Sequence, residues 1–355
     1  MRISDPDWIE WLNSTSDTYV VAEIGNNHQG KLGQALKMMR VAKDCGANAV
    51  KFQKRNNITL YTQQALDAPY TGPQSFGATY GEHREALELN TSDMWVLFDE
   101  GRKIGIDVFC TVFDETSAME MLRLEAPAYK IASGQMMDKP LLDMVAKFGK
   151  PMIISTGGWS LGDVIEILGW VLPVNPQVVL LQCTAEYPAR WDHLNLSVIP
   201  KLKKLVGEHL PVGWSGHDNG IAMAVAARAL GAKLIEKHFT LDRTSQGTDH
   251  AMSLEPQGLA KMVRDLRRFG QAIGDGRKRP WPEERGPISK MSRQWVVNCD
   301  LPKGHILTKK DLSLKIPGGS GFRPQDLYYL VDHDLATDVE KDHSPSVIAK
   351  KGDSK

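Results

Sequence analysis

Two histidines and two lysines stand where ionisable side chains are unusual, within or at the ends of apolar, strand-like runs. His217 and His238 end two consecutive runs, and neutral imidazoles at neighbouring strand ends suit a divalent transition metal. Lys51 and Lys130 lie inside two other runs, where burying an ammonium group is costly unless it meets an anion. These four residues favour a pocket that holds a cation beside a small phosphate or carboxylate.

Each of these residues also has a purely structural interpretation. The histidines could cap strand ends by hydrogen bonding, and either lysine could form a buried ion pair with Glu23 or Glu236. Glu23 ends the first strand-like run, so it is a candidate general base or ligand of a sugar hydroxyl, or else the charge partner of Lys51. Hydroxyl groups that could complete an anion pocket occur near the ends of other runs, at Thr111, Ser133, Ser155 and Ser215.

The elements that must position these side chains alternate between strand and helix. Apolar, β-branched runs are each followed by a segment with helical spacing, eight times between residues 18 and 273. Polar residues gather where the runs end, as they do at the mouth of a barrel enzyme. The pattern predicts an α/β fold, a (β/α)8 TIM barrel followed by a small β-rich domain. No G-x-G-x-x-G follows any run, which argues against a dinucleotide-binding sheet.

Composition changes mark three parts of the chain. Residues 1–276 are predicted to form the barrel, and residues 277–290, rich in charge, proline and glycine, to form a linker. Residues 291–355 read as short strands and turns of a second domain. Within the barrel, the polar and aromatic stretch 56–88 is predicted to be an ordered loop over the site.

Composition also excludes several classes of partner. The 355 residues carry no net charge, so nothing in the charge balance favours nucleic acid or an anionic membrane surface. No apolar run approaches the ~20 residues that a membrane span needs, and the N-terminus lacks the apolar core of a signal peptide. Four scattered cysteines without a C-x-x-C pair are typical of reduced thiols. We expect a cytoplasmic protein that acts on small molecules.

Several motifs, taken together and in this order, resemble those of the sialic acid synthase family: A-E-I-G-N-N-H-Q-G, V-K-F-Q, Y-K-I-A-S-G, Q-C-T-A-E-Y-P, G-W-S-G-H and L-I-E-K-H-F-T-L-D. Members of that family condense phosphoenolpyruvate with an N-acylhexosamine or its 6-phosphate. The resemblance runs from about residue 18 to about residue 345 and includes a C-terminal domain similar to the antifreeze-like (SAF) domain. It implies bound Mn2+ or Mg2+, and a domain-swapped homodimer in which each SAF domain covers the partner's site.

The resemblance also assigns roles to individual positions. His217 and His238 match the metal ligands, whereas Glu23, Gln53 and Asp249 match positions near the sugar and the water on the metal. Gln135 stands where the family usually carries a glutamate or aspartate that is thought to act on the sugar or as a base. Positions that match phosphoenolpyruvate contacts are Lys51, Thr111, Lys130, Ser133, Ser155, Tyr187 and Ser215.

Departures from the family pattern bear on the acceptor. An amide at Gln135 can position a hydroxyl but cannot take its proton. Ile316, in K-I-P-G, replaces the arginine of the R-P-G string that many bacterial members use to reach an N-acyl group. The stretch P-Y-T-G-P-Q-S-F-G-A-T-Y-G-E-H-R is more similar to that of the animal synthases, which use a 6-phosphate acceptor.

The expected activity is therefore synthesis of a sialic acid-type nonulosonic acid, or its 9-phosphate, from N-acetylmannosamine or its 6-phosphate. A deaminated acid made from mannose 6-phosphate is an alternative. A second alternative, raised by Gln135, is a non-catalytic homologue that binds sugar phosphates. A third is a related barrel aldolase that turns over pyruvate.

Overall fold

The computed structural model describes residues 1–207 and 209–348, which form two compact units, Met1–Gly274 and the part from Asp275 onward. The first unit contains a closed barrel of parallel strands in sequential order, with the last strand paired to the first. The predicted (β/α)8 barrel is thereby confirmed. Its strands are β1 (Tyr19–Gly25), β2 (Ala49–Lys54), β3 (Asp107–Val112), β4 (Tyr129–Ile131), β5 (Met152–Ser155), β6 (Val178–Cys183), β7 (Val212–Gly216) and β8 (Leu234–His238).

Helices surround the barrel, and local sequence explains where many of them begin and end. The helix at Thr91–Ile104, for example, starts with a capping box between Asn90 and Asp93 and ends at Gly105, whose φ of 73° suits glycine. None of the helices among the described residues is both long and apolar enough to cross a bilayer. The helices of this unit are α1 (Trp8–Ser14), α2 (Leu32–Asp44), α3 (Asn57–Leu60), α4 (Gln63–Asp67), α5 (Tyr80–Leu87), α6 (Thr91–Ile104), α7 (Glu115–Arg123), α8 (Lys139–Lys147), α9 (Leu161–Val171), α10 (Val198–Val206), α11 (Ala222–Ala229) and α12 (Pro256–Ala272).

The barrel interior is apolar at one level and polar at the next. An apolar cluster includes inward-facing strand residues at Val21, Ala49, Phe109, Ala128, Ile153, Leu181 and Leu234. Side chains alternate along a strand, so the residues two positions further along point to the same interior. Those residues are Glu23, Lys51, Thr111, Lys130, Ser155, Cys183 and Glu236. The interior therefore changes from hydrocarbon to charge toward the carboxyl ends of the strands.

The N-terminal residues pack against this apolar level. Ile3, Trp8 and Leu12 are fully buried in the same cluster as the inward-facing strand residues, and Trp8 meets Tyr19 edge to face at 5.2 Å. The helix α1 that carries two of them was not anticipated, although Trp8, Trp11 and Leu12 have helical spacing. Because apolar side chains cover the amino ends of the strands, the polar groups that could do chemistry lie at the opposite, carboxyl ends.

The stretch 56–88 is partly helical, because it contains α3, α4 and α5. Thr79 and Glu82 form a capping box at the start of α5. Tyr80 packs edge to face with Tyr61 and Tyr70, at 5.3 Å and 5.5 Å between ring centroids. These aromatic contacts give the stretch a small core of its own.

The second unit has its own core and a two-stranded antiparallel sheet. Strand β9 (Gln294–Val297) pairs with β10 (Leu312–Lys315), and Trp295, Leu307 and Leu330 lie in the cluster beneath. Residues 277–290, expected to be a linker, belong to this unit and include most of helix α13 (Arg285–Met291). Residues 349–355 of the predicted second domain lie outside the described residues.

Candidate active site

Strand register sets the predicted site residues side by side around the barrel. Glu23 is level with Lys51 on one side and with His238 on the other. Thr111 is level with Gln53 and Lys130, and Ser215 with Glu236, across their own strand pairs. A cavity at this level is lined by Glu23, Lys51, Gln53, Thr111, Lys130, Ala132, Ser133, Ser155, Cys183, Tyr187, Ser215, His217, Glu236 and His238. We call it the inner cavity.

Lys51 is the centre of a buried charge cluster. Its Nζ lies 2.6 Å from Oε2 of Glu23 and 3.7 Å from Oε1 of Glu236, and it donates to Oγ1 of Thr111 at 2.7 Å. Burial works against the charge of Lys51, but Glu23 and Glu236 outweigh it and raise the pKa of the ammonium group. Lys51 is therefore a cation at neutral pH, and both structural partners that the sequence suggested lie beside it.

Lys130 has a different environment, because no carboxylate lies within ion-pair distance of it among the described residues. Its Nζ donates to Oγ of Ser155 at 2.6 Å and to the carbonyl of Ile131 at 3.0 Å. Burial lowers the pKa of Lys130, and the nearby Lys51 cation adds to that effect. A buried ammonium group bonded only to neutral oxygens is suited to receive an anion.

Glu236 is a cavity residue that the sequence suggested as a charge partner of a lysine or as an oxygen near the metal. Its Oε1 accepts a hydrogen bond from Ser215 Oγ at 3.0 Å, while its buried Oε2 has no hydrogen-bond partner in the part of the chain that the structure describes. Burial opposes ionisation of Glu236, but Lys51 and Lys130 together hold its pKa below the usual range. Glu236 thus links the two lysines electrostatically.

His217 and His238 face each other at the cavity rim, with ring centroids 5.4 Å apart. Nδ1 of His217 lies 2.8 Å from the carbonyl oxygen of Thr184, so it carries the proton and leaves Nε2 with a free lone pair. Tyr187 stacks on the His217 ring at 4.1 Å. Burial, followed by the neighbouring His238, lowers the pKa of His217 to about 3, so this imidazole is neutral over the physiological range.

This donor set fits a divalent ion held by two imidazoles, with its other positions left to water and substrate. His238 supports that fit, because its buried Nδ1 has no hydrogen-bond partner among the described residues. Asp249 Oδ2 lies 3.7 Å from that nitrogen, a distance at which it can orient the ring or reach a water. Within the described part of the chain, no three His, Cys, Asp or Glu side chains converge tightly enough to form a complete ligand set.

Gly25 brings a second group of polar side chains close together. Its φ is +53°, and a Cβ placed on it would lie 3.1 Å from Glu23 Oε1, 3.2 Å from Gln53 Nε2 and 3.6 Å from Asp249 Oδ2. Gln53 donates to that same Glu23 oxygen at 3.0 Å. A glycine here lets the backbone approach three functional groups closely.

A second, wider cavity of about 350 Å3 adjoins the first and shares Gln53, Tyr187 and His238 with it. We call it the outer cavity, and its other lining residues are Asn26, Arg55, Arg84, Thr248 and Asp249. Neither arginine was singled out in the sequence. Arg55 directly follows β2, a position that could have drawn attention. Arg84 is the last residue of the stretch P-Y-T-G-P-Q-S-F-G-A-T-Y-G-E-H-R noted in the sequence, but nothing there distinguishes the arginine from its neighbours.

Most of the predicted site residues line the inner cavity, and two do not. Asp249 lines the outer cavity, next to His238. Gln135 lies in a single helical turn after β4 and lines neither cavity. Its buried Oε1 has no hydrogen-bond partner among the residues that the structure describes. The roles suggested for these positions by family resemblance stay predictions.

A closed parallel barrel with a polar cluster at the carboxyl ends of its strands defines the class of TIM-barrel enzymes. Comparison with known proteins narrows this class. The family model described as the NeuB family matches residues 38–278. The chain is 39% identical to N-acetylneuraminate-9-phosphate synthase of Homo sapiens over 94% of its length and 92% of the relative. It is 34% identical to N,N'-diacetyllegionaminic acid synthase of Legionella pneumophila, over 92% of each chain.

A solved structure agrees with this result. The N-acetylneuraminic acid synthetase of Leptospira borgpetersenii, in complex with citrate, is 32% identical with a TM-score of 0.66, over 78% of this chain and 91% of that one. The chain belongs to the NeuB family, and it is an enzyme of the sialic acid synthase type.

Proposed function

We propose that the protein condenses phosphoenolpyruvate with the open-chain form of a hexosamine or hexose, with the help of a divalent metal. The products are a sialic acid-type nonulosonic acid, or its 9-phosphate, and inorganic phosphate. The observation that carries this proposal is the placement of Lys51, Lys130, His217 and His238 around one buried cavity. An anionic donor needs the ammonium groups, and an aldehyde acceptor needs a metal held by the imidazoles. The two kinds of group must lie next to each other for the substrates to react.

The lysines are the proposed site of the donor. Lys51 and Lys130 supply two buried positive charges, and hydroxyls of Thr111, Ser155 and Ser215 lie within hydrogen-bond reach of the cluster. Phosphoenolpyruvate carries a phosphate and a carboxylate on three carbons, so it matches two adjacent cations. The citrate complex of the Leptospira relative supports an anion site in this family, since citrate is also a small, multiply charged acid.

The acceptor aldehyde belongs at the histidine side of the cavity. When bound by His217 and His238, Mn2+ or Mg2+ would polarise the aldehyde oxygen of the sugar. The C2–C3 π electrons of phosphoenolpyruvate form a bond from C3 to the aldehyde carbon, and the aldehyde oxygen takes a proton to become a hydroxyl. Water adds at C2 and gives up a proton. The bond from C2 to the phosphate oxygen then breaks as the new C2 hydroxyl loses its proton, which leaves a keto group and inorganic phosphate. Glu23, held by Lys51 and Gln53, is the proposed base for that water, with Asp249 as the other available carboxylate.

Phosphate release tests the proposal. The intact protein is incubated with phosphoenolpyruvate, Mn2+ and each acceptor in turn: N-acetylmannosamine, its 6-phosphate and mannose 6-phosphate. We expect phosphate and a product with the mass of the condensed acid for at least one acceptor, and neither after chelation of the metal. Bound phosphoenolpyruvate without turnover of any acceptor would instead favour a non-catalytic homologue, and consumption of pyruvate would favour an aldolase.

We further propose a homodimer in which the second unit of one chain covers the site of its partner, as the family resemblance implies. Light scattering of the full chain should then give twice the monomer mass of 39.5 kDa. Deletion of residues 275–355 should lower activity even if the barrel stays folded. A monomer with full activity would remove this part of the proposal.

A further inference from the structure

The outer cavity holds two arginines that no carboxylate fully neutralises. Arg84, on α5, donates from Nε to Tyr80 Oη at 2.8 Å, and its guanidinium carbon lies 4.9 Å from the centroid of the Tyr80 ring. Across residues 1–207 and 209–348, neither terminal nitrogen of Arg84 has a hydrogen bond, and no carboxylate lies within ion-pair distance of it. A positioned guanidinium with free donors facing a cavity is a binding group.

Arg55 supplies the second cation, on the wall formed by the end of β2. Its Nη2 donates to Gln53 Oε1 at 2.6 Å, and its guanidinium carbon lies 3.7 Å above the centre of the Phe113 ring. Nη1 is buried and has no hydrogen-bond partner within residues 1–207 and 209–348, and Glu88 Oε1 lies 3.5 Å from it. Burial, and then the charge of Arg84, hold the pKa of Arg55 below its ordinary value. Two cations that repel each other across a cavity gain from a shared anion.

Asp249, the carboxylate among the described lining residues of this cavity, has other partners. Asp249 Oδ1 accepts from Thr248 Oγ1 at 3.0 Å, and Oδ2 is directed to His238, 3.7 Å from Nδ1. Asp249 contributes to the field at Arg84 and raises the pKa of the guanidinium, but less than Tyr61 and Tyr80 do, and burial opposes all of them. The end of the outer cavity near Arg84 therefore keeps a positive charge that Asp249 does not neutralise.

Hydrogen bonds connect two segments that form walls of the outer cavity. Gln246 Nε2 donates to the carbonyl of Ser75, and the amide of Gly247 donates to Gln74 Oε1, both at 2.5 Å. These bonds join the 56–88 stretch to the loop after β8, which carries Thr248 and Asp249. One cavity thus extends from His238, where the aldehyde would lie, to Arg84.

From this arrangement we propose that Arg84 and Arg55 form a phosphate subsite, and that the acceptor is a sugar phosphate whose phosphate lies at the end of the chain away from the aldehyde. This inference rests on the proposed function for the position of the aldehyde. A six-carbon acceptor would place its carbonyl at His238 and its 6-phosphate between the arginines. The product would then be the 9-phosphate of the nonulosonic acid.

A binding measurement tests the subsite without turnover. The probe is the hexitol 6-phosphate obtained by reducing the aldehyde of N-acetylmannosamine 6-phosphate, titrated calorimetrically into the full-length protein. We expect Arg84→Gln to weaken its binding roughly 10- to 100-fold, the loss typical of hydrogen bonds to a charged group. Arg84→Lys should recover part of the affinity, since lysine keeps the positive charge but lacks the planar set of N–H donors of a guanidinium group. Arg102→Gln, in an exposed pair on α6, is the matched control and should bind as the wild type does.

The unphosphorylated hexitol separates this inference from the proposed function. It should bind wild type and Arg84→Gln within about twofold of each other, and more weakly than the phosphorylated probe binds the wild type. Equal binding of the two probes to the wild type, or an Arg84→Gln variant that binds the phosphorylated probe like Arg102→Gln, would overturn the subsite. Arg84-dependent binding in a protein that releases no phosphate from phosphoenolpyruvate would leave the subsite intact and refute the proposed reaction.

Discussion

The ammonium nitrogen of Lys51 lies 2.6 Å from a carboxylate oxygen of Glu23, and the two residues are register partners on β2 and β1. Their side chains are 4% and 1% exposed, so water screens the pair little. Lys51 also lies 3.7 Å from Glu236. Among the described residues, Lys51 is therefore the cation within ion-pair distance of two buried carboxylates at the base of the site.

Removing Lys51 should destabilise the barrel as well as abolish turnover. Lys51→Met leaves Glu23 and Glu236 without their cation, and breaking a buried pair in this way costs about 3–5 kcal/mol. Adding Glu23→Gln should restore part of that stability, because one carboxylate then remains instead of two. Urea denaturation of the single and double variants measures both effects.

The exposed pair of Lys139 and Asp143 on α8 provides the control. Its nitrogen and oxygen are also 2.6 Å apart, but the side chains are 49% and 40% exposed. Lys139→Met should cost at most about 0.5 kcal/mol. A Lys51→Met protein as stable as Lys139→Met would show that the buried pair is not coupled as described.

Metal binding should depend on both rim histidines. His217→Ala and His238→Ala each remove one imidazole of a two-imidazole set, so we expect Mn2+ affinity to fall at least about 10-fold, within the range seen when groups at metal sites are lost. Titration of the metal-free protein with Mn2+, followed by electron paramagnetic resonance, measures this directly. His193→Ala removes an exposed histidine that pairs with Glu186 and should bind Mn2+ like the wild type. Unchanged affinity in both rim variants would exclude these ligands.

Gly25 should be intolerant of even one added methyl group. Gly25→Ala imposes a φ of +53° on a residue with a Cβ, which costs about 1–2 kcal/mol, and places that atom 3.1 Å from Glu23 Oε1. We expect a lower unfolding midpoint and a reduced kcat, because Glu23 and Gln53 must shift. Gly33→Ala, where a Cβ meets no atom within 4 Å, should keep full activity. Equal behaviour of the two variants would contradict the crowding around Gly25.

Acid should weaken the fold through His28. Burial lowers the pKa of this imidazole from 6.5 to about 4, so His28 favours folding fully above pH 6.5 and loses that contribution as the pH falls toward 4. The shift corresponds to about 3 kcal/mol. His28→Asn, which retains an acceptor for the Gly30 amide, should reduce the loss of stability between pH 7.5 and pH 4.5 by about 2.5 kcal/mol, because this interval covers most but not all of the shift. Urea midpoints at the two pH values test this, and the exposed His209→Asn should leave the pH dependence unchanged.

Much of this architecture was predictable from local pattern. Lys51 and Lys130 stand out because a charged residue inside an apolar run conflicts with burial unless a site compensates for it. Alternating strands and helices restrict the topology to few choices, and a parallel barrel then sends the carboxyl ends of all strands to one face. The proximity of His217 and His238 follows from that arrangement, because they stand at the carboxyl ends of two neighbouring strands.

Other features depend on contacts between distant segments, which periodicity cannot encode. The stretch 56–88 was predicted to be an ordered loop over the site, but nothing in it shows that Arg84 lines the same cavity as Arg55. Likewise, Trp8 and Leu12 predict an amphipathic turn but not the barrel interior as its partner. Gln135 was expected beside the sugar from the family resemblance, yet it lines neither cavity.

The sequence by itself determined the barrel, the end at which chemistry occurs and most of the residues gathered there, because alternation along each strand carries that information. Tertiary structure alone decided which charges face each other: Lys51 with Glu23 and Glu236, and Arg84 with Arg55. The reason is that electrostatic interactions depend on distances of a few ångströms across the fold. Those distances are set by register, loop path and packing rather than by residue type.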